Sequence, residues 1–170
     1  MNDRAAVLRA ALIRNFDSAE TQREQREPRY DTVCARLATG TAARGLGISV
    51  DTVAPGKCAC PYHAHAVQEE AFVVLAGRGH LRVAGEMLEI GPGDVIFIPP
   101  GPQYPHQIVN TSQAPLKYLS IGTRDTPEVV EYPDSGKYLV QSRSPEGENP
   151  APLVHTFRLA DGLDYWDGEP

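Results

Sequence analysis

The chain has 170 residues, with 16 Lys and Arg against 22 Asp and Glu, so its formal net charge is −6. Proteins that coat nucleic acid or anionic lipid need a basic surface, and this balance argues against both partners. No apolar run approaches the roughly 20 residues that a membrane span requires. The length fits one domain, and the three cysteines are too few and odd in number for a disulfide scaffold, which favours a cytoplasmic setting.

The N-terminal third predicts one helix and a polar arm. Residues 3–14 place apolar side chains at helical spacing after Asp3, which can cap a helix, so we predict a short amphipathic helix there. Residues 15–31 are polar and dense in charge. They predict an arm that runs over the surface, with a weak helical tendency at 19–27.

From Leu46 the apolar pattern changes to a period of two, which is typical of strands. Turn residues separate short β-like runs at 47–53, 71–76, 80–84, 87–90, 95–99, 106–110 and 116–123. Strand starts that recur about every 8–12 residues indicate an antiparallel sandwich or barrel.

After residue 123 the pattern is weaker. Residues 132–136 (YPDSG) predict a turn, 142–152 resemble a linker, and 153–158 are compatible with one more strand. The acidic last ten residues include Tyr165 and Trp166. We expect these aromatic side chains to pack on the barrel or on a partner subunit.

Histidines in the β-rich middle suggest a metal site. His63 and His65 are two residues apart, so on a strand their imidazoles share one face. Glu70 follows five residues later, and a rolled sheet could bring His106 over the same face. Two imidazoles and a carboxylate form a facial ligand set that leaves metal positions open.

The residues around these histidines resemble the two motifs of the cupin superfamily. The first, G-x(5)-H-x-H-x(3,4)-E-x(6)-G, is matched with six residues instead of five before the first histidine, at Gly56, His63, His65, Glu70 and Gly77. The second, G-x(5)-P-x-G-x(2)-H-x(3)-N, is matched with four residues instead of two before its histidine, at Gly93, Pro99, Gly101, His106 and Asn110.

The second departure concerns the fourth ligand. It places Tyr104 where the strict pattern expects histidine, whereas His106 keeps the H-x(3)-N ending. Since Tyr is a poor ligand for most first-row divalent ions, we take His106 as the ligand. Tyr104 is a catalytic candidate as proton donor or relay, and the alternative is that it packs on the barrel rim.

The resemblance implies an all-β cupin fold, the double-stranded β-helix or jelly-roll barrel, with a short N-terminal helical arm. Residues 1–170 would form one domain, with a barrel core at 46–123, an arm at 1–45 and an extension at 124–170. It also implies one divalent transition metal (Zn, Fe, Mn or Ni) held by His63, His65, Glu70 and His106. The runs EYPDSGK and DYWDGE more loosely resemble a subset of small bacterial cupins labelled sugar-phosphate-isomerase-like.

An alternative zinc site would include Cys58 and Cys60, which precede His63 in the run CACPYHAH. On a straight strand the even-numbered cysteines and odd-numbered histidines point to opposite faces, although Pro61 could break that register. The simpler interpretation is that both cysteines are small, partly buried residues.

Five other polar side chains have an ordinary interpretation. His80 and His155 lack partners in the sequence and are interpreted as structural or surface residues. An anionic substrate could contact a basic side chain that pointed inward, although surface placement is the simpler interpretation for Arg78, Arg82 and Lys117.

The sequence therefore predicts a mononuclear metal-binding cupin. We expect a small metalloenzyme that acts on a sugar-like or small carboxylate or hydroxy substrate, as an isomerase, lyase or oxygenase. The alternative is a non-catalytic, metal-dependent protein that binds or senses a small ligand. Because open jelly rolls leave strand edges that must be paired or covered, we also expect a homodimer.

Overall fold

The computed structural model describes residues 3–142 and 153–170. Within these residues the secondary structure comprises α1 (Asp3–Leu12), a 3-10 turn (Leu159–Asp161) and the strands β1 (Gln22–Arg26), β2 (Tyr30–Arg36), β3 (Leu46–Val53), β4 (Ala64–His65), β5 (Glu70–Ala76), β6 (Gly79–Val83), β7 (Glu86–Ile90), β8 (Val95–Ile98), β9 (His106–Val109), β10 (Leu116–Thr123), β11 (Glu128–Tyr132), β12 (Lys137–Gln141) and β13 (Val154–Arg158). This mostly β architecture is the jelly roll that the sequence predicts.

The strands form three antiparallel sets. Six strands pair in the order β1-β2-β3-β10-β5-β8, four in the order β13-β12-β11-β4, and three in the order β7-β6-β9. The β3–β10 and β10–β5 pairings join strands far apart in sequence, as a jelly roll requires. Isolated bridges such as His63 to His106 connect the β4 region with β9.

The apolar core lies between the sheets, where alternate side chains of each strand point inward. Val53 of β3 and Leu116 of β10 are directly paired and fully buried. Around them pack Phe72, Val74, Leu81, Ile90, Ile98, Ile108 and Tyr118. At roughly 1.5–3 kcal/mol for each fully buried large apolar side chain, this cluster is a main source of barrel stability.

The predicted helical tendency at 19–27 is wrong, because Gln22–Arg26 is the strand β1. Gln, Glu and Arg have good helix propensity, but pairing with β2 overrides that local preference. Arg23 reinforces the pairing through two hydrogen bonds to the Asp31 carboxylate, at 2.8 and 2.6 Å. The first strands thus extend the sheet that contains β3.

The turn predicted at residues 132–136 is confirmed, and it joins β11 to β12. Ser135 N–H and Gly136 N–H both donate to Tyr132 O, at 3.1 and 3.0 Å. Gly136 has a φ of +58°, a conformation that glycine adopts without a steric penalty. The strand expected at 153–158 is present as β13. Of the linker-like segment 142–152, residues 143–152 lie outside the described residues.

The C-terminal aromatic side chains do not pack on the barrel, which contradicts that part of the expectation. Tyr165 is 83% and Trp166 70% exposed. The two rings contact each other edge to face, with centroids 4.8 Å apart, and Asp164 accepts a hydrogen bond from Trp166 N–H. A local turn therefore holds the segment, and the alternative packing on a partner subunit stays a prediction.

The helix α1 has ten residues and buries none of its side chains. Neither it nor the short 3-10 turn in the described ranges is long and apolar enough to cross a membrane.

Candidate metal centre

Backbone pairing brings the predicted ligands together from three strand ends. His65 lies in β4, Glu70 begins β5, and His106 begins β9. His63 precedes β4 and exchanges two backbone hydrogen bonds with His106, at 3.1 and 2.7 Å. The bridge between these two residues explains why side chains 43 positions apart face one point.

The four side chains converge closely. One ligand atom from each of His63, His65, Glu70 and His106 lies within 4.8 Å of the others. His106 Nε2 is 2.9 Å from Glu70 Oε2, and His65 Nε2 is 3.4 Å from the same oxygen. The rings of His63 and His106 have centroids 4.5 Å apart. The chain therefore contains a His/Glu group that could hold an ion.

The protonation states of His63 and Glu70 favour metal binding. Burial, with the neighbouring imidazoles of His106 and His65, lowers the pKa of His63 to about 4, so this ring is neutral near pH 7. Burial would raise the pKa of Glu70, but the hydrogen bond with His106 and the nearby imidazole of His65 hold that pKa well below its usual range. Neutral imidazole and ionised carboxylate are the forms that bind metals.

His65 provides the test of whether a metal fits. Both of its ring nitrogens are buried, yet neither makes a hydrogen bond within the described part of the chain. Buried polar atoms without partners are costly, so this ring calls for a partner. Burial lowers the pKa of His65, but the carboxylates of Glu70 and Glu128 outweigh it and raise the pKa. Three imidazoles and one carboxylate suit Zn, Fe, Mn or Ni, so the residues fit a divalent ion.

Glu128 is a component of the site that the sequence analysis missed. Its side chain is fully buried and accepts hydrogen bonds from the backbone N–H groups of Ala66 and Gln68, both at 2.8 Å. Its Oε2 is also 3.8 Å from His65 Nδ1. Glu128 therefore fixes the segment that carries His65. It lies 58 residues after Glu70, and neither cupin motif includes it.

Comparisons with known proteins support a cupin fold. A family model described as the cupin domain matches residues 49–122. These residues form a cupin domain. A solved structure named as a candidate sugar phosphate isomerase from Acidithiobacillus ferrooxidans is 28% identical, with a TM-score of 0.75, and the match covers 92% of this chain and 97% of that one.

Two further relatives extend the comparison. A sugar phosphate isomerase of the cupin superfamily from Silicibacter pomeroyi is 24% identical with a TM-score of 0.74, and the match covers 90% of this chain and 96% of that one. An uncharacterized protein from Methanocaldococcus jannaschii is 42% identical over 57 residues. That match spans 34% of this chain and 44% of the relative, which is less than half of its length. At these levels the cupin fold is well supported.

A cavity of about 670 Å³ opens beside the His/Glu cluster of the cupin domain. The cluster contributes His63, Glu70 and His106 to its lining, and the strands β2, β3 and β10 contribute Cys34, Ser49, Asp51, Tyr118 and Ser120. Ser49 Oγ donates a 2.6 Å hydrogen bond to Asp51 Oδ2, yet burial raises the pKa of Asp51. No Lys or Arg of the described residues forms an ion pair with Asp51, so the cavity holds a carboxylate without an ion-pair partner.

The cysteines do not join the cluster as thiolates. Cys60 Sγ is 3.8 Å from His63 Nδ1, but that nitrogen also lies 2.8 Å from Pro61 O. Burial raises the pKa of Cys60 to about 12 and also raises the pKa of Cys58. Among the described residues, neither cysteine belongs to the group whose ligand atoms converge, which disfavours the alternative zinc site.

Tyr104 lies in the loop between β8 and β9, and its side chain is 44% exposed. Its backbone oxygen is 3.2 Å from His106 Nδ1. Its side chain is not part of the cavity lining found in the described residues. The loop therefore orients the His106 ring through the backbone, and a catalytic role of the Tyr104 hydroxyl stays a prediction.

The remaining predicted polar residues lie away from the cluster. His80 contacts Thr111, at 2.7 Å, and His155 is exposed on β13. Asp134 binds Arg82 through two hydrogen bonds, at 2.6 and 2.8 Å, whereas Arg78 is exposed beyond the far end of β5. Lys117 pairs with Asp17 at 3.2 Å. These contacts agree with the surface interpretation of the three basic side chains.

Proposed function

We propose that this cupin domain binds one divalent transition metal and isomerises a sugar-like hydroxy-carbonyl compound. The observation that carries the proposal is the convergence of three imidazoles and one carboxylate at the wall of an open cavity. A structure similar over nearly its whole length, and named as a candidate sugar phosphate isomerase, supports the reaction class.

The residues of the chain divide the work between holding the metal and orienting the substrate. The metal would be held by His63, His65, Glu70 and His106. A divalent ion bound there supplies Lewis-acid polarisation of a carbonyl oxygen. The hydroxyls of Ser49 and Ser120 face the cavity and can hydrogen-bond substrate hydroxyls, while the buried Phe72 ring shields the cluster from water on the core side.

Isomerisation also requires a group that takes a proton from one carbon and returns it to the next. Asp51 suits this task, because it is a cavity carboxylate outside the cluster without a basic partner, and burial raises its pKa. An Asp51 carboxylate oxygen would accept the proton as the C–H bond breaks, the electron pair of that bond would form the C–C double bond, and the carbonyl π pair would move to the carbonyl oxygen to give an enediolate. The proton of the neighbouring hydroxyl would pass to that oxygen. As the second carbonyl forms, Asp51 would return its proton to the former carbonyl carbon, so no external oxidant or reductant is needed.

The test starts from protein purified in chelator-free buffer, with bound metal measured by mass spectrometry. Metal-loaded protein is incubated in D2O with phosphorylated and neutral aldoses, and proton NMR follows ketose formation and deuterium at the carbon next to the carbonyl. We expect turnover that His106→Ala abolishes. His80→Ala is the matched control, because His80 contacts Thr111 outside the cluster.

Other outcomes identify the alternatives. Stoichiometric metal and ligand binding without turnover would contradict the isomerase and indicate a binding or sensing protein. Oxygen consumption by the iron-loaded protein would indicate an oxygenase, and release of water or of a substrate fragment would indicate a lyase. Purification without stoichiometric metal under gentle conditions would contradict the metal site itself.

A further inference from the structure

Two glycines on neighbouring strands leave space at the mouth of the cavity beside Glu70. Gly47 of β3 pairs directly with Gly122 of β10, and Gly122 pairs on its other side with Glu70 of β5. Directly opposed residues of neighbouring strands point to the same face. A Cβ on Gly122 would lie 3.6 Å from Glu70 Oε1, so the carboxylate lies over that glycine.

Arg124 occupies the other end of this row of paired residues. It follows β10, and its backbone N–H donates to Gly45 O at 3.0 Å. Its Cγ and Cδ both lie 3.8 Å from the position of a Cβ on Gly47. Since neighbouring strands are 4.7–4.9 Å apart, two spacings place Gly47 about 10 Å from Glu70. The Arg124 side chain therefore shares the cavity mouth with the His/Glu cluster.

The guanidinium of Arg124 has its donors available. In the described ranges its side chain makes no hydrogen bond or ion pair, and the residue is exposed. Arg36 also lines the cavity, but it pairs with Glu24 at 3.1 Å. A guanidinium presents its donors as a rigid fork that matches the oxygens of phosphate or carboxylate. Arg124 is thus the cavity arginine that can engage an anion without breaking an existing pair.

We propose that Arg124 recognises the anionic end, a phosphate monoester or a carboxylate, of a small substrate whose hydroxy-carbonyl end faces the His/Glu cluster. The orientation of that substrate rests on the proposed function. Gly47 and Glu70 are about 10 Å apart across the cavity mouth. One small molecule can therefore contact Arg124 with one end and the His/Glu cluster with the other. Because the chain carries a net charge of −6, a local cation also offsets the general repulsion of an anionic substrate.

Calorimetric titration with ligands that cannot isomerise tests this assignment. The probes are alditol phosphates of three to six carbons, the matching aldonates, and the uncharged alditols, each added to metal-loaded protein. The variants are Arg124→Gln, Arg124→Lys and Arg78→Gln. Arg78 is the matched control, since it is exposed near the opposite end of β5.

We expect Arg124→Gln to weaken binding of the anionic probe by roughly 10- to 100-fold, with binding of the uncharged alditol and metal content unchanged. Arg124→Lys should recover part of the loss, and Arg78→Gln should match the wild type. Comparing the phosphate and aldonate series identifies which anion is preferred.

Equal affinity of wild type and Arg124→Gln for the anionic probes, or no binding of any anionic probe, would overturn the assignment. The two proposals fail separately. Turnover of an anionic sugar that is insensitive to Arg124→Gln would refute the anion subsite and leave the isomerase intact. Arg124-dependent binding without turnover would refute the isomerase and leave the anion subsite intact.

Discussion

Glu128 should stabilise both the fold and the position of His65. Its buried carboxylate accepts hydrogen bonds from Ala66 N–H and Gln68 N–H, both at 2.8 Å. Replacing it by Gln keeps the size of the side chain but turns an amide N–H group towards one of the two donors. One buried N–H then lacks a partner and one charge-assisted bond becomes a neutral one. We expect a loss of about 2–4 kcal/mol in the free energy of unfolding.

Urea unfolding of metal-free protein, followed by far-ultraviolet circular dichroism, measures this loss. Tryptophan fluorescence is a poor probe here because Trp166 is already 70% exposed in the folded protein. Glu131→Gln is the matched control on the same strand, since the Glu131 carboxylate accepts a bond from the Tyr138 hydroxyl at 3.1 Å. We expect this control to remain within about 0.5 kcal/mol of the wild type.

The same substitution should also weaken metal binding. Groups that orient metal-binding histidines typically change metal affinity by about 10–100-fold when they are replaced, so Glu128→Gln should release zinc to a competing chelator at a lower chelator concentration. An unchanged unfolding midpoint, or an equal loss in Glu131→Gln, would refute the structural argument. Loss of stability with unchanged metal affinity would show that Glu128 stabilises the fold without affecting metal binding.

Three further predictions follow from the site and the exposed surface. His106→Ala should lose bound metal while Tyr104→Phe keeps it, and the opposite metal contents would make Tyr104 the fourth ligand. Because burial raises the pKa of Asp51 above the unfolded value of about 4, its ionisation destabilises the fold as the pH rises. The stability of Asp51→Asn relative to the wild type should therefore increase between pH 4 and 7, and a constant difference would contradict this. Light scattering should give twice the chain mass of 18.5 kDa, with β8 as one exposed edge, and a mass near that of one chain would refute the dimer.

The barrel strands could be predicted because their signals are local. Most runs from β5 to β10 alternate or are compactly apolar and are followed by Gly, Pro or Asn, so their bounds agree with the sequence to within one or two residues. The strand β1 could not be recognised in this way. Its residues are all exposed and favour a helix, and its partner β2 alone makes it a strand.

The same distinction applies to the site. His63, His65, Glu70 and His106 were found because their spacing follows the cupin motifs. Whether they converge depends on the pairing of the β4 region with β9, which spacing alone does not determine.

Asp51, Glu128 and Arg124 have no local signal at all. Asp51 looks like an ordinary polar residue on an alternating strand, and it is functional in the proposal only because that face lines the cavity. Glu128 reaches the backbone at Ala66 through the β4–β11 pairing. Arg124 lies at the cavity mouth because β10 is placed between β3 and β5.

The interior of the barrel changes from apolar to polar along its axis, as the inward-facing residues of β3 show. Val53 is fully buried in the apolar core, the next inward positions are Asp51 and Ser49, and Gly47 lies at the mouth. Each step of two residues keeps the same face and moves about 7 Å along the strand. Packing at the Val53 layer supplies stability, which offsets the cost of burying Asp51 and the unpartnered His65 ring. A bound metal and the hydroxyls of a substrate would provide these polar layers with partners, so ligand binding should raise the unfolding temperature of the cupin domain.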